Sequence, residues 1–157
     1  FFSGLCSVPP KGMPPVIQFG RRLGGGSFGD VFVGTDTSGN KYAVKRVKCK
    51  SISAASDALQ ECFVMQKLTH PNIVEYRHVW MYEDRSEVFV CIAMDLFEEG
   101  DLHSLLKTYN SRRPMPVDQV CGLAADIAAA LAFLHSNRII HRDLKPGNVL
   151  LSHPGTK

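Results

Sequence analysis

His141-Arg142-Asp143-Leu144-Lys145-Pro146-Gly147-Asn148 is the stretch on which the reading of this chain turns, and the apolar Val149-Leu150-Leu151 follows it directly. Its pattern is His-Arg-Asp-Leu, three open positions, then asparagine. The chain has 157 residues, and of its six histidines only His141 sits in a motif. Eight residues do not define a fold, so the argument has to be carried by what surrounds them.

A chain of this length with 45% apolar residues can bury a core. The net charge of +3 is mild and gives no reason to expect nucleic-acid or membrane binding. No apolar run approaches the roughly 20 residues of a membrane span. The first residue is Phe1, which suggests a trimmed chain. Residues 1–10 are apolar in flavour but lack the basic start of a signal peptide. The five cysteines, Cys6, Cys49, Cys62, Cys91 and Cys121, are odd in number and include no Cys-x-x-Cys pair. They fit reduced thiols in an intracellular, cytoplasmic protein better than zinc ligands or a disulfide framework.

Residues 1–15 contain four prolines and two glycines and read as a flexible lead-in. Residues 19–23 and 31–35 are short and strand-like. Val31-Phe32-Val33 and Tyr42-Ala43-Val44 flank a turn at Ser38-Gly39-Asn40. Residues 53–68 carry an apolar stripe at helical spacing (Leu59, Cys62, Phe63, Met65, Leu68), with Ser53 or Ser56 as cap and Asp57 in the first turn. Pro71 ends that helix. Strands are expected over 73–80 and 87–94, with a turn at 83–85 between them. A short helix is expected over 101–109 and a loop over 110–116. The strongest helix spans 117–136. Val120, Leu123, Ala124, Ile127, Leu131 and Leu134 line one face of it, and Asn137 is a left-handed stop. Strands, one helix, more strands and then helices make the fold class α+β, with the sheet in the first half.

Gly24-Gly25-Gly26-Ser27-Phe28-Gly29-Asp30-Val31 contains Gly-x-Gly-x-x-Gly-x-Val. Glycines let backbone N–H groups close over phosphates with no side chain in the way. The same spacing occurs in dinucleotide-binding folds. There, however, the motif opens a helix and meets an acidic residue about 20 positions on. Here β-prone residues follow, and position 49 is cysteine, so strand–loop–strand is the better reading.

With Tyr42-Ala43-Val44-Lys45 and the octet at 141–148, this motif resembles the eukaryotic protein kinase family, of the serine/threonine type. Gly100-Asp101-Leu102 and the 110–116 loop resemble NIMA-related kinases. The resemblance implies a two-lobe kinase fold. Residues 1–18 would be the lead-in, 19–94 a complete small lobe, and 95–157 the hinge with the start of the large lobe. It implies transfer of phosphate from ATP, with Mg2+, to serine or threonine hydroxyls of protein substrates.

The roles follow by resemblance. Asp143 would accept the proton of the substrate hydroxyl, Asn148 would hold magnesium, and Lys145 would touch the transferring phosphate. Lys45 would contact the α and β phosphates, held by Glu61. Gly24, Gly25, Gly26, Ser27, Phe28 and Gly29 would form the phosphate lid. Leu23, Val31, Ala43 and Leu150 would cover the adenine. Met94 would border the back of the pocket, and the backbones of Asp95 and Phe97 would meet the adenine edge. Asp101 would lie near the ribose or a basic substrate residue. Arg142 suggests control by activation-loop phosphorylation. His141 would brace the loop, and Met65 would pack into the core.

The family's Asp-Phe-Gly magnesium site is absent from these 157 residues. The chain is therefore expected to be the N-terminal portion of a kinase domain, nearly inert alone, with a loosely packed second half. The rival reading is a pseudokinase or scaffold that binds partners without catalysis, and the presence of Lys45, Glu61, Asp143 and Asn148 argues against it.

Overall fold

The computed structural model describes residues 16–26 and 29–152. Five strands form one antiparallel sheet: β1 (Ile17–Gly26), β2 (Gly29–Asp36), β3 (Lys41–Cys49), β4 (Tyr76–Asp84) and β5 (Glu87–Asp95), in the order β1-β2-β3-β5-β4. The helices are α1 (Ile52–Gln66), α2 (Leu102–Leu106) and α3 (Val117–Ser136), and a 3-10 turn spans Pro146–Asn148.

β5 lies inside the sheet and is covered on both faces, so Val90, Cys91, Ile92 and Ala93 are buried in succession. On one face Val90 and Ile92 pack with Val79 against Ala55 and Cys62 of α1. On the other, Cys91 and Ala93 pack with Val44 under Ile17, Tyr42, Trp80 and Tyr82. Completely buried Val44 and nearly buried Val90 each contribute about 1.5–3 kcal/mol by leaving water.

The α+β expectation holds, with local corrections. β1 extends through the glycines to Gly26. The cap of α1 is Ser51, whose hydroxyl accepts from the Ala54 N–H at 3.1 Å, and no acidic residue occupies the first turn. Neither Ser53 nor Ser56 takes the cap, because the chain is already helical at Ile52. β4 starts at Tyr76 and runs to Asp84, later at both ends than the 73–80 expectation. Its hairpin turns through Arg85 and Ser86, both at positive φ (48° and 65°), the pairing that suits a tight two-residue turn. Asn137 is not left-handed: its φ is −90°, and Arg138 beside it takes φ +60°.

The chain divides into two compact units. One comprises the described residues up to Thr69 with Val74–Leu96. The other comprises His70–Ile73 and the described residues from Phe97 on. In the second unit α3 carries its apolar stripe only partly covered: Leu134 is buried, whereas Val117 and Val120 are 75% and 48% exposed. By length and composition its 20 residues could cross a membrane, which corrects the reading that no segment does. Asp126 in its middle argues for another environment. A carboxylate at a bilayer centre costs about 2.5–3.5 kcal/mol on insertion scales. Here Asp126 instead accepts from the Asn72 side chain.

Candidate active site

The decisive octet folds into a loop closed on Asp143. Arg142 takes φ +62°, and the Asp143 N–H turns back to the His141 carbonyl at 2.9 Å. An i to i+2 hydrogen bond around a residue at positive φ is the rare, strained form of a γ-turn. The same N–H lies 3.4 Å from His141 Nδ1, so His141 does brace the loop. Pro146 then starts the 3-10 turn, closed by the Asn148 N–H on the Lys145 carbonyl at 2.9 Å.

This backbone brings three of the expected residues together. Lys145 Nζ donates to both Asp143 oxygens, at 2.9 and 3.0 Å. Asn148 Nδ2 donates to Asp143 Oδ2 at 2.8 Å and to the Asp143 carbonyl at 2.7 Å. The Lys145 ammonium foremost, and the Asn148 amide after it, hold the Asp143 carboxyl below its usual range. The result is an ionised carboxylate, fixed in direction and open to solvent, with an ammonium beside it. Both Asn148 bonds use the amide nitrogen. Its amide oxygen is the hard donor that suits magnesium. Among the described residues no group of three or more His, Cys, Asp or Glu is placed to hold a metal.

Elsewhere in the second unit, Asp101 and Leu150 meet as an antiparallel bridge. It is flanked by Leu102 N–H to Val149 carbonyl at 2.8 Å and Leu151 N–H to Gly100 carbonyl at 3.0 Å. The Asp101 carboxylate caps α2, accepting from the Ser104 N–H at 2.7 Å, and this bond draws its pKa down. The cap gives Asp101 a local duty that the sequence reading had not assigned. Phe97 is half-buried in this unit.

In the first unit the register aligns Gly24 with Val31, Val31 with Lys45, Lys45 with Ile92 and Ile92 with Val79. Directly opposed residues share a face. Lys45 and Val31 therefore stand on the face where Ile92 and Val79 meet α1. Ala43 and Met94 are opposed in the next row. Glu61 is exposed on α1, beside buried Cys62. Burial pushes the Cys62 thiol up; Glu61 adds to that and Lys45 opposes it, so both charges act at this point between α1 and β3. Met65 is half-buried rather than in the core.

Gly26 pairs with Gly29 across the lid turn, while Ser27 and Phe28 lie outside the described residues. Gly29 has φ +110°, and a Cβ there would strike the Arg46 carbonyl. Gly24 has open space around it. Leu23 is 38% exposed before it. Below the lid, Arg22 Nη2 pairs with Asp30 Oδ1 at 2.6 Å. The register sets Arg22 opposite Phe32 and Asp30 opposite Gly25, so the pair is a diagonal one across the hairpin, and the bulges between Phe19 and Gly24 hide it from simple alternation. Also missed were Arg77, which grips Asp95, and Asn72, which grips α3.

The fold and the octet together define a protein kinase domain. The family of that description matches residues 17–157, and the chain belongs to it. Its first unit is that family's small lobe, and its second begins the large lobe. Among curated proteins it is 35% identical to the cyclin-dependent kinase 4 homolog of Caenorhabditis elegans, over 96% of this chain and 38% of that protein. It is 36% identical to the mouse (Mus musculus) serine/threonine-protein kinase Nek4, over 84% of this chain and 16% of that protein. The cell cycle serine/threonine-protein kinase CDC5/MSD2 of Saccharomyces cerevisiae is 34% identical, over 94% of this chain and 21% of that protein. The chain thus spans well under half the length of these relatives. The resemblance to NIMA-related kinases is consistent with the Nek4 match.

Proposed function

We propose that the whole protein transfers the γ-phosphoryl group of ATP to serine or threonine hydroxyls of other proteins, inside the cell. The observation that carries this reading is the convergence of Lys145 and Asn148 on the Asp143 carboxylate. A carboxylate held ionised can accept the hydroxyl proton as the hydroxyl oxygen bonds to phosphorus. The bond from phosphorus to the bridging oxygen breaks, and ADP leaves with that electron pair. Lys145, already beside the carboxylate, would stabilise charge on the transferring group. Magnesium, when bound, neutralises phosphate charge, and the Asn148 amide oxygen would hold it from the protein side.

In the same reading Lys45, oriented by Glu61, holds the nucleotide phosphates under the lid of Gly24 to Gly29. Leu23, Val31, Ala43, Met94 and Leu150 cover the base, and the Asp95 and Phe97 backbones meet its edge. Residues 19–94 then act as small lobe and 95–157 as hinge and start of the large lobe. The 157-residue polypeptide alone, lacking Asp-Phe-Gly, is expected to transfer almost nothing.

The test is phosphate transfer by the full-length protein to a generic protein substrate with Mg-ATP, followed by phosphoamino-acid analysis. Asp143→Asn should lower the rate by about 10²–10⁴-fold. An unchanged rate in that variant, or phosphotyrosine as the product, contradicts the proposal.

A further inference from the structure

β4 and β5 pair regularly except at one place: Tyr76 faces Met94 and His78 faces Ala93, so Arg77 is an extra residue in a β-bulge. Bulges at sheet edges re-aim side chains. Strict alternation from buried Val79 would send Arg77 to the face that α1 covers, where a guanidinium would lose its water. The bulge frees it from that face, and Tyr76 takes the place against the α1 cluster instead. Arg77 instead forks onto Asp95, with Nε to Oδ1 at 2.6 Å and Nη2 to Oδ2 at 3.0 Å. Its third nitrogen, Nη1, meets Glu75 Oε2 at 2.6 Å.

Asp95 is the last residue of β5. It faces Tyr42 on β3, but the β4 ladder has already ended at Tyr76 and Met94. On that side the fork replaces the missing ladder partner. Exposed single ion pairs contribute little, but a bidentate fork joined by a third charge is the geometry that does hold a segment in place. From this arrangement we infer that Arg77 is a positioning residue for nucleotide recognition. It fixes the direction in which the Asp95 backbone leaves the sheet, and Glu75 fixes Arg77. The role rests on the proposed function, in which that backbone meets the adenine edge. A loosened strand end would misplace the donor and acceptor that distinguish adenine from other bases, without touching the phosphate-transfer groups.

The test compares full-length wild type with Arg77→Met, Arg77→Lys and Lys48→Met, the last removing another exposed pair on the same sheet, with Glu87. The readouts are KM for ATP, kcat, the ratio of kcat/KM for ATP over GTP, and thermal unfolding. Arg77→Met is expected to raise KM for ATP roughly tenfold and to lower the ATP-over-GTP ratio by a similar factor, with kcat within about twofold. Arg77→Lys, which keeps the charge and loses the fork, should fall between. Lys48→Met should match wild type. A fall in melting temperature or kcat with KM and the nucleotide ratio unchanged marks a merely structural pair and overturns the inference. A wild type that binds no ATP removes the proposed function and this role with it. A wild type that binds ATP, with an Arg77→Met variant indistinguishable from it, removes this role alone.

Discussion

Asn72 gives its side-chain amide to Asp126 twice, to Oδ1 at 3.0 Å and to the backbone carbonyl at 3.2 Å. The nearby His70 ring lies against Phe133, two turns further along the same face of α3, with centroids 4.9 Å apart. A four-residue loop between α1 and β4 thereby joins the second unit, although the residues on both sides of it belong to the first. Each exposed hydrogen bond of this kind contributes about 0.5–1.5 kcal/mol. Asn72→Ala should cost about 1–2 kcal/mol in urea unfolding, and a double-mutant cycle with Asp126→Ala should show coupling of about 1 kcal/mol. Strictly additive single effects would mean that the pair holds nothing.

The two ends of the glycine lid should respond differently to the same change. Gly29 combines φ +110° with a backbone oxygen where a Cβ would sit, so Gly29→Ala forces the β2 start away from β3. A cost of about 1–3 kcal/mol is expected from the dihedral alone. Nothing lies within 4 Å of a Cβ at Gly24. Gly24→Ala should leave the melting temperature unchanged, and any loss of ATP affinity it causes reports on contact with phosphate. Equal destabilisation by both changes would contradict this account of the turn.

Much of this was legible in the sequence because the signals are local. The β-prone runs Val31-Phe32-Val33 and Tyr42-Ala43-Val44 and the heptad-like stripe of residues 117–136 each act within one hairpin or one helix, whereas α1 ends at Gln66, before the stop expected at Pro71. The octet was legible for the same reason: Asp143, Lys145 and Asn148 meet through a turn set by Pro146 and by the strained Arg142. What escaped depends on register. Arg77 reads as a solvated charge on a strand until the bulge shows which way it points. Ser51 was passed over as a cap in favour of Ser53 and Ser56, since three serines within six residues offer the backbone similar oxygens. Asn72 finds its partner 54 positions away, beyond any periodicity.

The Asp143 carboxyl titrates below its ordinary value of 3.8, chiefly through the Lys145 hydrogen bond. Lys145→Met removes that cause, so the carboxyl pKa rises toward the ordinary value. If Asp143 must be ionised to act, the acid limb of the pH–rate profile of the full-length protein moves to higher pH in that variant. A carboxyl 13C titration of Asp143 should move the same way. No movement in either would show that Lys145 does not govern the charge of Asp143.

Thiol labelling should sort the described cysteines by burial. Cys121 is exposed, whereas Cys62 and Cys91 are buried. Burial pushes the Cys91 thiol up to about 12. Its thiolate is then scarce at pH 8 and also out of reach, and alkylation proceeds through the thiolate. Iodoacetamide at pH 8 should modify Cys121 more than about a hundredfold faster than Cys91, with the difference vanishing in denaturant. Comparable rates in the native protein would mean that the centre of the sheet is open.

The two long helices, α1 and α3, should differ in stability. α1 sets Ala55 and Cys62 into the sheet, against Val79, Val90 and Ile92. α3 is longer, at 20 residues, yet buries only Leu134 and leaves Val117 and Val120 in water. Length alone does not secure a helix, because helices in proteins owe most of their stability to the packing of an apolar face. In the 157-residue polypeptide the amides of residues 120–131 should therefore exchange at least about tenfold faster than those of residues 90–93, whose opening requires the sheet itself to come apart. Val44→Ala should cost about 1–3 kcal/mol, while Val120→Ala should change stability by less than about 0.5 kcal/mol. Full protection of α3, equal to that of β5, would mean that its exposed stripe is covered in solution.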